Sequence, residues 1–283
     1  MHLIEYVDAD LILSVLPERK ANTHKGDYGR ILLLCGSKGY TGAAALAAMG
    51  ALRSGAGVVY LGVPESVYEI VATKMLEPVV MPFPDEQGMF SAKATEKIHQ
   101  LLPKMDAVLI GPGIGASEGT RTVVDYVIKN CICPLILDAD GINVISDHID
   151  ILRDREYPTV LTPHMGEFVR LGGDSAGDRM QNAIDIAERT NSIILLKGSQ
   201  TVITDGYRHF LNLTGNPGMA TGGSGDVLAG IIVSLLGQGV EPVLATACGA
   251  WLHGAAGDIC AEEIGQYGML PQDMINVLPR LLR

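Results

Sequence analysis

Asn216-Pro217-Gly218-Met219-Ala220-Thr221-Gly222-Gly223-Ser224-Gly225-Asp226, running on into Val227-Leu228-Ala229-Gly230-Ile231-Ile232-Val233-Ser234-Leu235-Leu236, reads as a glycine-rich loop feeding a helix. Val227, Leu228, Ile231, Ile232, Leu235 and Leu236 recur at helical spacing and predict one apolar face, with Gly237 and Gly239 as the stop. Gly222, Gly223 and Gly225 have no Cβ to hold a ligand off the main chain, so N–H groups there can converge on an anion at the positive end of the helix. Phosphate is the natural guest. A carboxylate beside such a cradle repels the guest unless it has separate work, and Asp226 is placed to take a proton from an attacking hydroxyl. A plain turn also accounts for glycines before a helix, and the helix dipole alone favours an acid in the first turn. Thr221 and Ser224 add hydroxyl donors, and no Walker-type GK[ST] is present, which favours the phosphate reading.

Upstream of this loop, strand-like runs at 30–35, 57–63, 106–110, 134–138, 159–162 and 192–197 alternate with helical runs at 41–54, 91–102, 118–130, 141–148 and 178–190. This is the βαβ rhythm of a parallel sheet covered on both faces. The rhythm then changes: 201–204 and 207–213, split by Asp205-Gly206, predict a hairpin appended to the sheet, and helices at 242–264 and 271–282 close the chain. Residues 81–88 read as a Pro-containing loop. No repeat or linker divides the sequence, so 1–283 is expected to form a single α/β domain.

Ligands of open parallel sheets collect beyond the carboxyl ends of the strands, so the residues just past each strand matter most. After the first comes Gly36-Ser37-Lys38-Gly39-Tyr40-Thr41-Gly42 and an alanine-rich helix at 43–52, whose small side chains suit either close ligand approach or tight packing on the sheet. Gly111-Pro112-Gly113-Ile114-Gly115-Ala116 comes after 106–110, with Asp138 further on, which matches a dinucleotide fingerprint. The acid arrives late and the proline removes one N–H; Asp138 and Asp140 serve equally as caps for a helix near Gly141. Thr162-Pro163-His164-Met165-Gly166-Glu167-Phe168 puts a histidine at a strand exit before a helix, as a rim contact or as a structural residue. Lys197-Gly198-Ser199-Gln200-Thr201 sets a cation and small donors where a nucleotide phosphate or ribose would lie, or else forms a solvated turn. His24-Lys25-Gly26-Asp27-Tyr28-Gly29 is a polar lead-in to the first strand, and His2, His99, His148, His209 and His253 have no partner legible in the sequence.

A net charge of −11 argues against a broad nucleic-acid or anionic-membrane surface, so any phosphate must be held locally. No run has the length and purity of a membrane span, and residues 1–20 lack the order of a signal peptide, which leads us to expect a cytoplasmic protein. The five cysteines, Cys35, Cys131, Cys133, Cys248 and Cys260, lie in apolar runs without CxxC spacing and read as buried thiols; a metal shared by Cys131 and Cys133 lacks further ligands nearby.

Taken in order, HKGxYG (24–29), GSxxYTGAA (36–44), GPG (111–113), LDADGIN (137–143), LTPHxGEF (161–168), KGSQT (197–201) and GGSGD (222–226) resemble the ADP-dependent NAD(P)H-hydrate dehydratases of the ribokinase-like superfamily. The resemblance runs from about His24 to the end, and the companion epimerase domain of some members is not expected here. It implies a carbon–oxygen lyase that phosphorylates the hydroxyl of (6S)-NAD(P)HX and eliminates phosphate, restoring NAD(P)H with release of AMP and phosphate. The logic is sound chemically: water has a pKa of about 15.7 and hydroxide leaves poorly, whereas phosphate, with a second pKa of about 6, leaves readily. By position, the resemblance implies Asp226 as base and the amides of Gly222, Gly223, Ser224 and Gly225 around the phosphoryl. It places Lys197, Gly198, Ser199, Gln200, Thr201 and Gly225 on the adenine nucleotide, and Ala43 or Ala44, Gly113, His164 and Asp226 on the hydrated dinucleotide. It also implies magnesium on the ADP or ATP phosphates, without a protein cage legible in the sequence, and a homo-oligomer, typically a tetramer.

Other readings make different predictions. A vitamin-precursor or sugar kinase of the same superfamily would leave a stable phosphorylated product. A dehydrogenase would need no nucleoside phosphate and would tolerate Asp226→Asn. A nucleotide-sensing module would bind ADP or ATP without turnover.

Overall fold

The computed structural model describes residues 3–16 and 19–282. Among the described residues the strands are β1 (Ile4–Tyr6), β2 (Arg30–Leu34), β3 (Val58–Pro64), β4 (Val79–Phe83), β5 (Asp85–Glu86), β6 (Met89–Phe90), β7 (Ala107–Ile110), β8 (Leu135–Leu137), β9 (Thr159–Leu161), β10 (Ile193–Leu196), β11 (Thr201–Thr204) and β12 (His209–Asn212). The helices are α1 (Ala9–Val15), α2 (Thr41–Arg53), α3 (Tyr68–Ala72), α4 (Ala94–Leu101), α5 (Glu118–Asn130), α6 (Asp140–Asn143), α7 (Met165–Arg170), α8 (Arg179–Thr190), α9 (Ser224–Gly237), α10 (Pro242–Glu263) and α11 (Pro271–Leu281).

Ten strands form one sheet in the order β1-β12-β11-β10-β9-β8-β7-β2-β3-β4. Pairing is parallel from β4 through β10; β11 and β12 are the predicted antiparallel hairpin, and β1 adds a parallel edge strand beside β12. Central strands alternate between two cores, as period-2 geometry requires when both faces are covered. Ile31, Leu33, Ala107, Leu109, Ile136, Val160 and Leu195 face the layer of α2, α9, α10 and α11. Leu32, Leu34, Val108, Ile110, Leu135, Leu161 and Leu196 face the layer of α4, α5 and α8.

The helix predicted to bury one face is buried all round: residues 227–237 of α9 are inaccessible, because the sheet lies on one side and α2 and α10 on the other. Close contact with α2 depends on missing side chains. A Cβ on Gly230 would stand 2.2 Å from the Ala47 carbonyl oxygen, and one on Gly50 would stand 2.7 Å from that of Val227.

Other expectations need correction. Residues 81–88 are not one loop: Val79–Phe83 forms the outer strand, where Pro82 is tolerated because an edge has no further partner for its nitrogen. Gln87 and Gly88, with φ of 54° and 83°, then turn a short β5–β6 hairpin. The helix expected at 141–148 is only the single turn α6; Ser146 bonds back to the Asn143 carbonyl and His148 is held by Asp125 and Asp147, side-chain contacts that compete with continued helix. The helix expected at 91–102 begins at Ala94 and passes at Pro103 into a tighter 3₁₀ turn, Leu102–Lys104.

The strand order reverses at β2. From it the chain steps outward through β3 and β4, then returns to β7 on the opposite side and continues through β8, β9 and β10. The crevice between the carboxyl ends of β2 and β7 is therefore the topological switch point, where open α/β sheets bind ligands.

Candidate functional site

Leu34 pairs with Ile110, Ile110 with Leu137, and Leu137 with Leu161, so the parallel strands end in one row. The segments beyond these strand ends meet along one rim: Gly36 donates to the Pro112 carbonyl at 2.8 Å, Ser37 Oγ to the Gly113 carbonyl at 2.7 Å, and Lys197 N–H to the Pro163 carbonyl at 2.9 Å. α9 brings its amino end to the same rim from beneath the sheet.

Gly223 is the N-cap of α9 in the left-handed region, φ 93°, and offers no side-chain cap. Gly225 lies inside the first turn and not ahead of it, which corrects the loop boundary expected from sequence. Among the described residues the backbone N–H groups of Gly222, Gly223, Gly225 and Asp226 have no acceptor. Buried helix ends normally cap such donors, so a half-exposed start left open in this way is suited to an anion. The loop before it is pinned by Asp258, which accepts from Gly215 N–H at 2.9 Å and from Asn216 Nδ2 at 3.0 Å. Ser224 is not a free hydroxyl donor: it is buried and shares a 3.2 Å hydrogen bond with His253 Nε2. Burial pushes His253 down to about 4, so it is neutral at pH 7.

Asp226 has no hydrogen-bond donor among the described residues, and its carboxyl is pushed up to about 7. Burial is the first cause and the charge of Asp138 the second; Lys197 opposes them and Asp140 adds to them. Such a carboxyl is poised as a proton acceptor near neutral pH. Asp138 is 1% exposed, and its Oδ1 accepts from Lys197 Nζ at 2.9 Å and Thr162 Oγ1 at 2.7 Å. Burial works against the Lys197 ammonium, but Asp138 and Glu167 outweigh it and hold its pKa above the usual lysine value. Buried Glu167, 4.0 Å from Lys197 Nζ, also closes a capping box with His164: His164 N–H donates to Oε2 at 2.8 Å, and His164 Nδ1 accepts from Glu167 N–H at 3.2 Å.

The sequence-derived residues are largely brought together. A Cβ on Gly113 would lie 2.9 Å from the Cβ atoms of Ala43 and Tyr40, which places these three at the switch point. Ala43 is half-buried towards the crevice, whereas Ala44 is fully buried against Gly36, so of the two only Ala43 is available to a ligand. His164 is exposed, but its ring caps α7. Gly198, Ser199 and Gln200 are exposed, and Arg179 ties the carbonyls of Leu196, Lys197, Ser199 and Gln200 together at 2.7–3.3 Å. Neither Asp138 nor Asp140 caps α6; Ala139 is its N-cap, and Asp140 Oδ2 accepts from Gly115 N–H at 2.9 Å. The dinucleotide fingerprint is not realised, since α5 begins at Glu118 under its own Ser117 cap and Asp138 is committed to Lys197.

Sequence reasoning missed the Asp138–Thr162–Lys197 contact, the role of Glu167, and the Ser224–His253 bond. The first and last, and the approach of Glu167 to Lys197, join residues far apart in the chain, and spacing gives no signal for them. The His164–Glu167 capping box, by contrast, has a local i, i+3 spacing that could have marked it. His99 bonds Tyr126, His209 bonds Thr204, and His148 bonds Asp125, while His2 lies outside the described residues. All five cysteines are free and buried, and no group of three or more His, Cys, Asp or Glu among the described residues is arranged to hold a metal.

Comparison with known proteins bears on the family and the fold. Residues 31–280 match the family model described as NAD(P)H-hydrate dehydratase. A bifunctional NAD(P)H-hydrate repair enzyme of Moorella thermoacetica is 44% identical over 95% of this chain, which corresponds to 52% of that protein; the chain spans about half the length of these bifunctional relatives. An ADP-dependent (S)-NAD(P)H-hydrate dehydratase of Bacillus subtilis is 36% identical, with 95% of each chain covered. A crystal structure of the ADP/ATP-dependent enzyme from that organism, co-crystallised with ATP/Mg2+, superimposes with a TM-score of 0.84 at 33% identity, covering 99% of this chain and 98% of its own. A ribokinase-like superfamily protein of Enterococcus faecalis superimposes at 0.87 with 28% identity, covering 98% of this chain and 94% of its own. With a ribokinase-like fold, an acid at the start of α9 and a match of this extent, this chain belongs to the NAD(P)H-hydrate dehydratase family.

Proposed function

We propose that this chain catalyses the ADP-dependent dehydration of (6S)-NAD(P)HX, returning NAD(P)H with release of AMP and phosphate. The observation that carries the proposal is Asp226: a carboxyl pushed up to about 7, without a donor among the described residues, beside open amides at a helix start and the Lys197 ammonium. Asp226 takes the hydroxyl proton while that oxygen attacks the β-phosphorus of ADP and AMP leaves. The amides of Gly223 and Gly225, with that of Gly222, receive the charge on the transferring phosphoryl. Phosphate then departs with the C–O electron pair, and loss of a ring proton restores the dihydronicotinamide.

In this reading Lys197, Gly198, Ser199, Gln200, Thr201 and Gly225 hold the nucleotide, and Ala43, Gly113, His164 and Asp226 face the hydrated dinucleotide at the switch point. Tyr40, 63% exposed beside Gly113, joins that second set. The residues fit magnesium only as an ion brought in on the nucleotide phosphates, because no protein cage exists among the described residues; when bound there it neutralises phosphate charge. Both helical layers pack on one sheet, which supports treating 1–283 as one ribokinase-like domain. No helix among the described residues is long and apolar enough to cross a membrane. A cytoplasmic location and a homotetramer complete the reading by family likeness.

The decisive experiment incubates the purified protein with hydrated NADH or NADPH and either ADP or ATP. Recovery of dihydronicotinamide absorbance with stoichiometric AMP (from ADP) and phosphate is the expected result. A stable phosphorylated product would instead make the protein a small-molecule kinase, and nucleotide binding without any turnover would make it a sensor.

A further inference from the structure

The nucleotide segment at 197–201 does not need Lys197 to hold its shape. Arg179 already collects four of its neighbouring carbonyls, and the lysine side chain turns away from that segment towards the buried carboxylate at the end of β8. There the ammonium lies against the first turn of α9, 3.3 Å from where a Cβ on Gly225 would stand. Any side chain at 225 would compete with it. The Asp138 carboxylate is locked in turn by Thr162, its only other hydrogen-bond partner among the described residues, and Glu167 stands 4.0 Å from the same ammonium. A buried ion pair is a poor source of net stability, because desolvation offsets most of its attraction. This one stands beside open amides aimed at the same space.

We infer that Asp138, locked by Thr162, is a positioning residue that holds the Lys197 ammonium at the first turn of α9, so that this cation acts on the transferring phosphoryl group of the nucleoside diphosphate. The inference deepens the proposed function and rests on it. Lys197 then complements the charge gathering on the phosphoryl oxygens, while Asp138 touches neither substrate. Second to burial, the Asp138 carboxylate also raises the proton affinity of Asp226 across the crevice. The groups facing Asp226 are Asp138 at the end of β8, Asp140 on α6, Lys197 at the end of β10 and the Cys35 thiol after β2, which burial keeps protonated. His253, behind Ser224 on α10, is neutral.

The test uses the full chain with Asp138→Asn and Thr162→Val. Asp138→Asn should lower kcat about 10- to 100-fold while changing the KM for ADP less than about threefold, because the nucleotide segment is anchored by Arg179. Its acid limb should move below that of the wild type, since the carboxylate that raises Asp226 is gone. Thr162→Val keeps the charge and serves if the first variant folds poorly; it should lower kcat about 3- to 10-fold with the acid limb in place. Carboxyl NMR titration of Asp226 in the ligand-free proteins should show the same downward shift in Asp138→Asn. Loss of ADP affinity in proportion to kcat, with an unmoved titration, would overturn the inference and leave Asp138 a structural support. Wild-type protein inactive on hydrated NADH would overturn the functional reading instead, and the titration would still report on Asp138.

Discussion

The two ends of the central strands are built on opposite rules. At their amino ends a half-buried cation is nearly fully bonded: Arg155 donates from Nε to Thr159 Oγ1, from Nη1 to the carbonyls of Ile128 and Cys131, and from Nη2 to that of Cys133, all within 2.6–3.1 Å. Nearby, Asp106 Oδ2 accepts from Arg30 N–H at 2.7 Å. At the carboxyl ends Lys197 has one close carboxylate, Asp226 has no donor among the described residues, and the amides at the start of α9 are open. A cavity of about 430 Å³ lined by Cys131, Arg155 and Tyr157 belongs to the satisfied end. A cavity by itself is thus a poor guide to chemistry in this molecule. Unmet polar valence is the better one, because leaving buried donors and charges unpaired is destabilising unless a ligand completes them.

Substitutions should separate the two ends. The largest effect is expected from Asp226→Asn at the carboxyl end: a fall in dehydration rate of about 10² to 10⁴-fold, with ADP binding retained by calorimetry. Unchanged turnover would remove the assignment of the base and the contrast with it. At the amino end Arg155→Met strips several buried carbonyls of their donor and should lower unfolding stability by about 3 kcal/mol in denaturant titration, leaving kcat of the folded enzyme as it was. A comparable loss of kcat there would show that the ends are not independent. Between these lies the pH profile. A base titrating at about 7 works only when ionised, so kcat/KM should fall about tenfold per pH unit below that point and level off above it. A plateau reaching down to pH 5 would show that another group takes the proton. Smallest is the stability change in Gly222→Ala, within about 0.5 kcal/mol, because a Cβ there meets nothing within 4 Å. Its activity should still drop, since that open space is where the phosphoryl would sit.

Much of the fold was legible in advance because it rests on local pattern. Runs such as Ile31-Leu32-Leu33-Leu34 and Ala107-Val108-Leu109-Ile110 are uniformly apolar, as strands covered on both faces are. The runs expected at 118–130 and 178–190 match α5 and α8 to within a residue, the structure adding the capping bonds of Ser117 and Asp178. Segments governed by neighbours in space were read less well. Residues 81–83, the second half of β4, read as loop because a proline is excluded from central strands, and only their place at the sheet edge admits Pro82. From sequence α9 is expected to bury one face because Val227, Leu228, Ile231, Ile232, Leu235 and Leu236 recur at helical spacing; Ala229, Gly230, Val233 and Ser234 between them are buried too, and Gly230 is what lets α2 lie against it.

By itself, then, the sequence determined the parallel α/β architecture, the glycine-lined start of α9 and the acid next to it, since backbone freedom, periodicity and helix polarity act within a few residues. The tertiary structure decided which charges share that space. Asp138 follows β8, Thr162 and Glu167 follow β9 and Lys197 follows β10, and only the common register of these strands sets them side by side. The raised proton affinities of Lys197 and of Asp226 beside it result from that meeting, because Coulomb forces and desolvation depend on distance and burial, which no spacing along the chain encodes.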